Sequence, residues 1–125
     1  MILADTNVII DYLKGPTDAL VKIFREEDIA ICGVVEAELL HGSLSEKDAD
    51  RLSEAISCFE MLPFGENWNQ LGNMLYKLRI NGITLPFSDA MIACVAIRHN
   101  VPVLTGDKHF KLIAKIFPEL KTYDM

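Results

Sequence analysis

Four carboxylates stand where a folded chain should least tolerate them: Asp5 in ILADTNVII, Glu38 in GVVEAELLHG, Asp89 in LPFSDAMIA and Asp107 in VPVLTGDKHF. Each lies beside a strongly apolar run. Burying an ionised carboxylate costs several kcal/mol or more without compensation, so four acids at the edges of core elements point to a shared cation. Oxygen donors of this kind suit Mg²⁺ or Mn²⁺, hard ions that retain several waters and accept phosphate oxygens as further ligands. Such an ion acidifies a bound water and withdraws charge from a phosphorane-like transition state. The pattern is that of an enzyme rather than a scaffold.

The elements that must position these acids alternate between short apolar runs and helical periodicity. MILA (1–4) reads as a strand ending at Asp5, and TNVIIDYLK as an amphipathic helix stopped by Gly15-Pro16. TDALVKIFREE follows as a helix capped by Thr17 or Asp18, with Leu20, Ile23 and Phe24 on one side. DIAICG is a second strand, VVEAELLHGS a third helix, and SEKDADRLSEAISCF a fourth, opened by Ser45 with Asp48 three positions on, a near capping box. EMLPF is a third strand. ENWNQLGNMLYKLRINGI carries Trp68, Leu71, Leu75 and Leu78 at helical spacing, FSDAMIACVAIRHN is an apolar helix with Ser88 as its expected cap, and VPVLTG is a fourth strand. KHFKLIAKIF is a last helix and LKTY a short edge strand. This alternation implies an α/β domain over 1–125, with a central, mainly parallel sheet covered on both faces. Such sheets bind ligands beyond the carboxyl ends of their strands, where the strand order switches direction. Asp5 and Asp107 fall just after strands, and Asp89 falls in the first turn of a helix.

Composition bounds the function. The chain has 125 residues, 50% of them hydrophobic, enough for one substantial core. No apolar stretch reaches the ~18 residues of a membrane helix, and the start lacks the positive region of a signal peptide, so a cytoplasmic protein without membrane association is expected. Cys32, Cys58 and Cys94, odd in number and set in apolar surroundings, read as buried, reduced thiols. Net charge is −6, with 13 acidic against 5 basic residues over 1–62 but 5 against 7 over 63–125. That balance argues against tight nonspecific nucleic-acid binding, yet not against a nuclease whose metal neutralises its acids. Lys77, Arg79, Arg98, Lys108, Lys111 and Lys115 are available for a local phosphate-facing rim.

Glu38 competes with Glu36, because on a helix the two point about 200° apart and only one can face the site. Val35, Glu38 and Gly42 share one face, where a glycine would let the helix approach the sheet closely; Glu36 shares the other with Leu39, Leu40 and Ser43. Helical geometry alone leaves both open.

Taken as an ordered set, DTNVIIDYL, AELLHG, SDAMIA and LTGDKHF resemble a PIN-domain ribonuclease of the VapC toxin type, and the resemblance covers essentially the whole chain. It implies a PIN-like three-layer α/β/α fold and a metal-dependent endoribonuclease using Mg²⁺ or Mn²⁺. It carries the catalytic and metal-binding acids onto Asp5, Glu38, Asp89 and Asp107. Glu38 is chosen over Glu36 because the family's acid precedes a leucine and sits four residues before a glycine. Thr6 and Thr105 become polar neighbours that orient a carboxylate or a water. The chain departs from the pattern at His109, where many relatives carry another acid, which leaves the number of metals open. RNA as substrate, a cognate antitoxin as partner and a homodimer are further implications, and apolar positions in LVKIF or MLYKL are candidate interface residues. The alternatives are a PIN nuclease of RNA processing and a catalytically silent PIN-fold binding module, though the latter should have lost at least one acid. A haloacid-dehalogenase-type phosphatase would need an acid at Asn7 and another where Lys111 stands, and a response-regulator receiver would need a lysine in the Thr105-Gly106-Asp107 segment.

Overall fold

Residues 1–123 are described by a computed structural model, in which β1 (Ile2–Ala4), β2 (Ile29–Cys32), β3 (Glu60–Leu62), β4 (Val103–Leu104) and β5 (Thr122–Tyr123) form one sheet. Their order is β3-β2-β1-β4-β5, and every pairing is parallel, with Leu3 opposite Ala30 on one side and Val103 on the other. The chain winds outward from β1 through β2 to β3, then returns to β1's other edge with β4. The switch point therefore lies between the carboxyl ends of β1 and β4. LKTY does supply the edge strand expected of it.

Among the described residues seven helices cover the sheet: α1 (Thr6–Lys14), α2 (Asp18–Glu26), α3 (Gly33–His41), α4 (Glu46–Ile56), α5 (Trp68–Ile80), α6 (Phe87–His99) and α7 (His109–Ile116). α3 packs against α1, α4 and α6, while α5, α6 and α7 pack on one another. Parallel strands covered on both faces must be apolar throughout, which accounts for the uninterrupted burial of Ile2–Ala4 and of Ala30–Cys32. α6 is buried around most of its circumference by Ala90, Ile92, Ala93, Cys94, Val95 and Ala96, so it shows little amphipathic contrast. Its small residues let neighbouring helices approach it closely.

Local signals set the helix ends. The Thr17 hydroxyl accepts from the Leu20 amide at 3.2 Å, and the Ser45 hydroxyl from the Asp48 amide at 3.1 Å. Each such cap stabilises its helix by about 1 kcal/mol. Asp48 reaches back to the Leu44 amide at 3.0 Å, one residue earlier than in a full capping box. Gly82, with φ of 77°, takes up the left-handed turn after α5 and donates its amide to the Arg79 carbonyl at 3.0 Å.

Four local expectations are corrected. Trp68 is 60% exposed, and the buried stripe of α5 is Leu71, Met74 and Leu78, because the first residue of a helix projects past the layer that its later turns cover. Ser88 caps nothing: the N-cap of α6 is Pro86, two residues earlier, whose fixed φ suits a helix start. Gly42 is the C-cap of α3, where an added Cβ would meet only carbonyls of its own helix end, so it grants no close approach to the sheet. Cys32 and Cys94 are buried thiols, the latter pushed up to about 11 by desolvation, but Cys58 is exposed just beyond α4.

Candidate metal centre and active site

Asp5 is the N-cap of α1 and is 5% exposed. Both of its oxygens are engaged: Oδ1 accepts from the Val8 amide at 3.0 Å, and Oδ2 accepts from the Thr105 hydroxyl. The cap explains why a carboxylate can sit at the end of the central strand, since an N-terminal helix turn supplies free amides and a favourable dipole. Even so, burial dominates and pushes the Asp5 carboxyl above its ordinary range. The Thr105 and Val8 hydrogen bonds oppose this, and the charges of Asp107 and Asp89 add to it.

Thr105 follows β4 and ties the switch point together. Its hydroxyl donates to Asp5 across a sequence separation of 100 residues and accepts from the Asp107 amide at 2.9 Å. The next turn is held in the same way, with Asp107 Oδ1 accepting from the His109 amide at 2.9 Å. α7 starts there, so the β4–α7 loop presents Asp107 and His109 toward α6.

Asp89, in the first turn of α6, meets them. Its Oδ2 lies 2.8 Å from His109 Nδ1, which is also 3.4 Å from Asp107 Oδ1. Donor atoms of Asp89, Asp107 and His109 all lie within 4.8 Å of one another. Burial is again the main reason the Asp89 carboxyl is held above its ordinary range; the His109 hydrogen bond opposes it, and the charges of Asp107 and Glu38 reinforce it.

Glu38 joins from α3 on the solvent side, its Oε1 accepting from the Thr6 hydroxyl at 2.7 Å. Thr6 opens α1 immediately after Asp5, so this bond links the exposed glutamate to the buried aspartate. Glu36 points elsewhere: with Met61, Phe64 and Trp68 it lines an apolar cavity of about 480 Å³ beyond β2 and β3. The expectation of four buried acids narrows to one, because Asp89 and Asp107 are half-buried and Glu38 is exposed.

The basic rim also contracts. Lys108 and Lys111 share a cavity of about 530 Å³ with Thr105 and Asp107. Lys77 lies 5.9 Å from the Phe117 ring centroid and Arg79 5.6 Å from that of Tyr76. Arg98, two turns and more from Asp89 along α6, donates to the buried Asn67 at 2.5 Å. Lys115 is exposed on α7.

A divalent cation fits this donor set. Among the described residues, the ion pairs made by these acids are those with His109, and no lysine or arginine bridges them. Asp89 and Asp107 would hold the ion with Asp5 behind them, and Glu38 would complete its outer side. Thr105 is the residue whose importance the sequence understated. Its signal was available as a hydroxyl two residues before a site acid at a strand end.

Comparison with known proteins agrees with this geometry. The PIN domain model matches residues 2–116. Ribonuclease VapC of Rickettsia bellii is 32% identical over 128 aligned positions, covering 92% of each chain. Ribonuclease VapC1 of Methanocaldococcus jannaschii is 31% identical, covering 98% of this chain and 87% of its own. Among solved structures, the fold matches that of DNA-bound VapBC from Salmonella typhimurium with a TM-score of 0.83 at 23% identity, over 99% of this chain and 98% of that one. VapBC2 from Rickettsia felis, bound to a promoter DNA fragment, matches with a TM-score of 0.81 at 24% identity, over 100% of this chain and 99% of the other. The strand order that brings Asp5 beside Thr105, and the near full-length similarity to these ribonucleases, have one meaning: the chain belongs to the PIN-domain family, in its VapC ribonuclease branch.

Proposed function

We propose that this VapC-family protein is the toxin of a toxin–antitoxin pair and cuts RNA internally, using Asp5, Glu38, Asp89 and Asp107 around Mg²⁺ or Mn²⁺. The observation that carries the reading is the convergence of Asp5, Asp89 and Asp107 on the β1/β4 switch point, with Glu38 tied in through Thr6. A divalent ion held there acidifies water and offsets charge on the scissile phosphate. Glu38 Oε1 is occupied by Thr6, which leaves Oε2 as the exposed acceptor for a proton of the attacking water. Thr105 fixes Asp5 and the Asp107 backbone, so the acids need little rearrangement as the substrate arrives. Lys108 and Lys111 bind flanking phosphates beside Asp107.

With a net charge of −6 and a short basic rim, affinity for RNA is modest, and selectivity comes from RNA shape and a few unpaired bases. A toxin–antitoxin complex from Klebsiella pneumoniae among the structural neighbours supports a cognate antitoxin as partner. A homodimer is supported by Tyr76 and Ile80, apolar side chains of α5 that are 52% and 58% exposed. Within LVKIF, by contrast, Leu20 is buried and Phe24 stacks on Tyr12 at 3.9 Å, so that segment serves the core. A cytoplasmic location accords with the absence, among the described residues, of a helix long and apolar enough to cross a membrane.

End-mapping of total RNA after incubation with the protein and Mn²⁺ tests the reaction. Discrete internal cuts bearing 5′ phosphates, stopped by EDTA and absent with Asp5→Asn, are expected, because water attack at phosphorus expels the 3′ oxygen. Cyclic phosphate ends, or intact RNA alongside hydrolysis of a small phosphomonoester, would overturn it.

A further inference from the structure

Among the described residues, His109 is the nitrogen donor that clusters with Asp89 and Asp107. Nδ1 sits between two carboxylates from different elements, 2.8 Å from Asp89 Oδ2 on α6 and 3.4 Å from Asp107 Oδ1 on the preceding loop. The ring is held there from two directions. The His109 amide is anchored on Asp107 at 2.9 Å, and Phe110, the next residue of α7, is fully buried. Three donor atoms within 4.8 Å of one another can converge on a common ion, since neighbouring ligands of a six-coordinate ion at ~2.1–2.2 Å stand about 3 Å apart. Asp5 lies outside this group of three and is only 5% exposed, so it stands behind them as a buried support rather than as the primary donor. The His109 side chain is 41% exposed, so an ion can reach Nδ1 from solvent without opening the core.

We propose that His109 Nδ1 is a direct ligand of the site's cation, completing a nitrogen–oxygen–oxygen triad with Asp89 and Asp107, and that this nitrogen selects Mn²⁺ over Mg²⁺. In this state the imidazole carries its proton on Nε2 and turns the Nδ1 lone pair toward the ion. Imidazole suits divalent transition ions, whereas Mg²⁺ prefers an all-oxygen shell and gives up water reluctantly. The inference rests on the proposed metal-dependent activity and specifies which ion that activity uses.

Calorimetric titration of EDTA-treated wild type, His109→Ala and His109→Asp with Mn²⁺ and with Mg²⁺ supplies one test, and electron spin-echo spectra of the Mn²⁺-loaded proteins another. Wild type should bind Mn²⁺ more tightly than Mg²⁺, and its spectrum should show ¹⁴N modulation. Both variants should lose the modulation. The Mn²⁺-to-Mg²⁺ affinity ratio should fall roughly tenfold, equivalent to about 1.4 kcal/mol, with His109→Asp recovering Mg²⁺ binding. Unchanged thermal unfolding of the EDTA-treated variants would show that the loss is one of ligation. Mn²⁺ binding to wild type without ¹⁴N modulation, or with a ratio unmoved by either substitution, overturns the role of His109 while leaving a metal-dependent nuclease intact. Failure of wild type to bind either ion overturns both.

Discussion

Asp107→Asn should make the metal-free protein more stable and the metal-loaded protein comparatively less so. The amide is nearly isosteric and keeps an Oδ1 acceptor for the His109 amide, so the turn that opens α7 survives the change. What disappears is a charge whose partner atom on Asp89 lies within 4.8 Å and which also raises the Asp5 carboxyl. At that separation two unit charges repel by about 3.5 kcal/mol at an effective dielectric of 20 and by about 0.9 kcal/mol in bulk water. Side-chain exposures of 32% for Asp107 and 16% for Asp89 place the pair between these limits. The expected gain is therefore about 1–3 kcal/mol, or roughly 3–12 °C in Tm for a domain of this size. Scanning calorimetry in EDTA at neutral pH measures it.

The pH dependence has a definite sign. Asp5 and Asp89 have folded-state values raised above their ordinary ones, so their contribution is fully present below the ordinary carboxylate value and is lost as pH rises through the raised values. The advantage of Asp107→Asn should accordingly shrink on acidification and grow toward neutrality. Mn²⁺ at about one thousand times the wild-type Kd should reverse the ranking, because wild type then gains about 4.1 kcal/mol while the variant gains much less. A variant less stable than wild type in EDTA at neutral pH would refute the argument and make Asp107 a structural carboxylate.

The remaining predictions concern how the site is assembled. Glu38→Gln should abolish RNA cleavage and Glu36→Gln should leave it intact, measured on the same RNA under the same metal conditions, because only Glu38 is tied to the acids through Thr6. Loss of activity in both would place the catalytic requirement on α3 as a whole rather than on one side chain. Thr105→Val removes the hydroxyl shared by Asp5 and Asp107 and should weaken Mn²⁺ binding by roughly ten- to a hundredfold, as outer-shell partners of metal ligands do. Titration calorimetry giving wild-type affinity would show that Asp5 is positioned by the Val8 amide alone.

Much of this architecture was legible because its signals are local. The run MILA locates β1 to within one residue, TNVIIDYLK before Gly15-Pro16 matches α1 to the residue, and Ser45 with Asp48 marks the start of α4. Trp68 misled because periodicity reports which residues share a face and not where the neighbouring layer ends. Glu36 and Glu38 could not be separated by helical geometry, since the deciding contact, Thr6 to Glu38, joins positions 32 residues apart. The pairing of Asp89 with His109 was likewise hidden, because it depends on how the N-terminus of α6 meets the loop after β4. Burial was overestimated for Glu38 because an apolar helix can still turn an acid outward at one position per turn.

The Thr105–Asp5 bond also has a meaning in time. It joins the first strand to the fourth across 100 residues, and closing a loop of that length costs about 4 kcal/mol of chain entropy before any contact forms. β1 can pair with β2 as soon as residue 32 is available, but its other edge stays open until Val103–Leu104 arrives. A chain emerging from the ribosome therefore carries Asp5 and Glu38 long before it can bring Asp107 to them. The nuclease is latent through most of its own synthesis. For a protein proposed to attack RNA in the cell that makes it, the order of its strands works as a delay, and the proposed catalytic centre closes only when nearly the whole domain has been made.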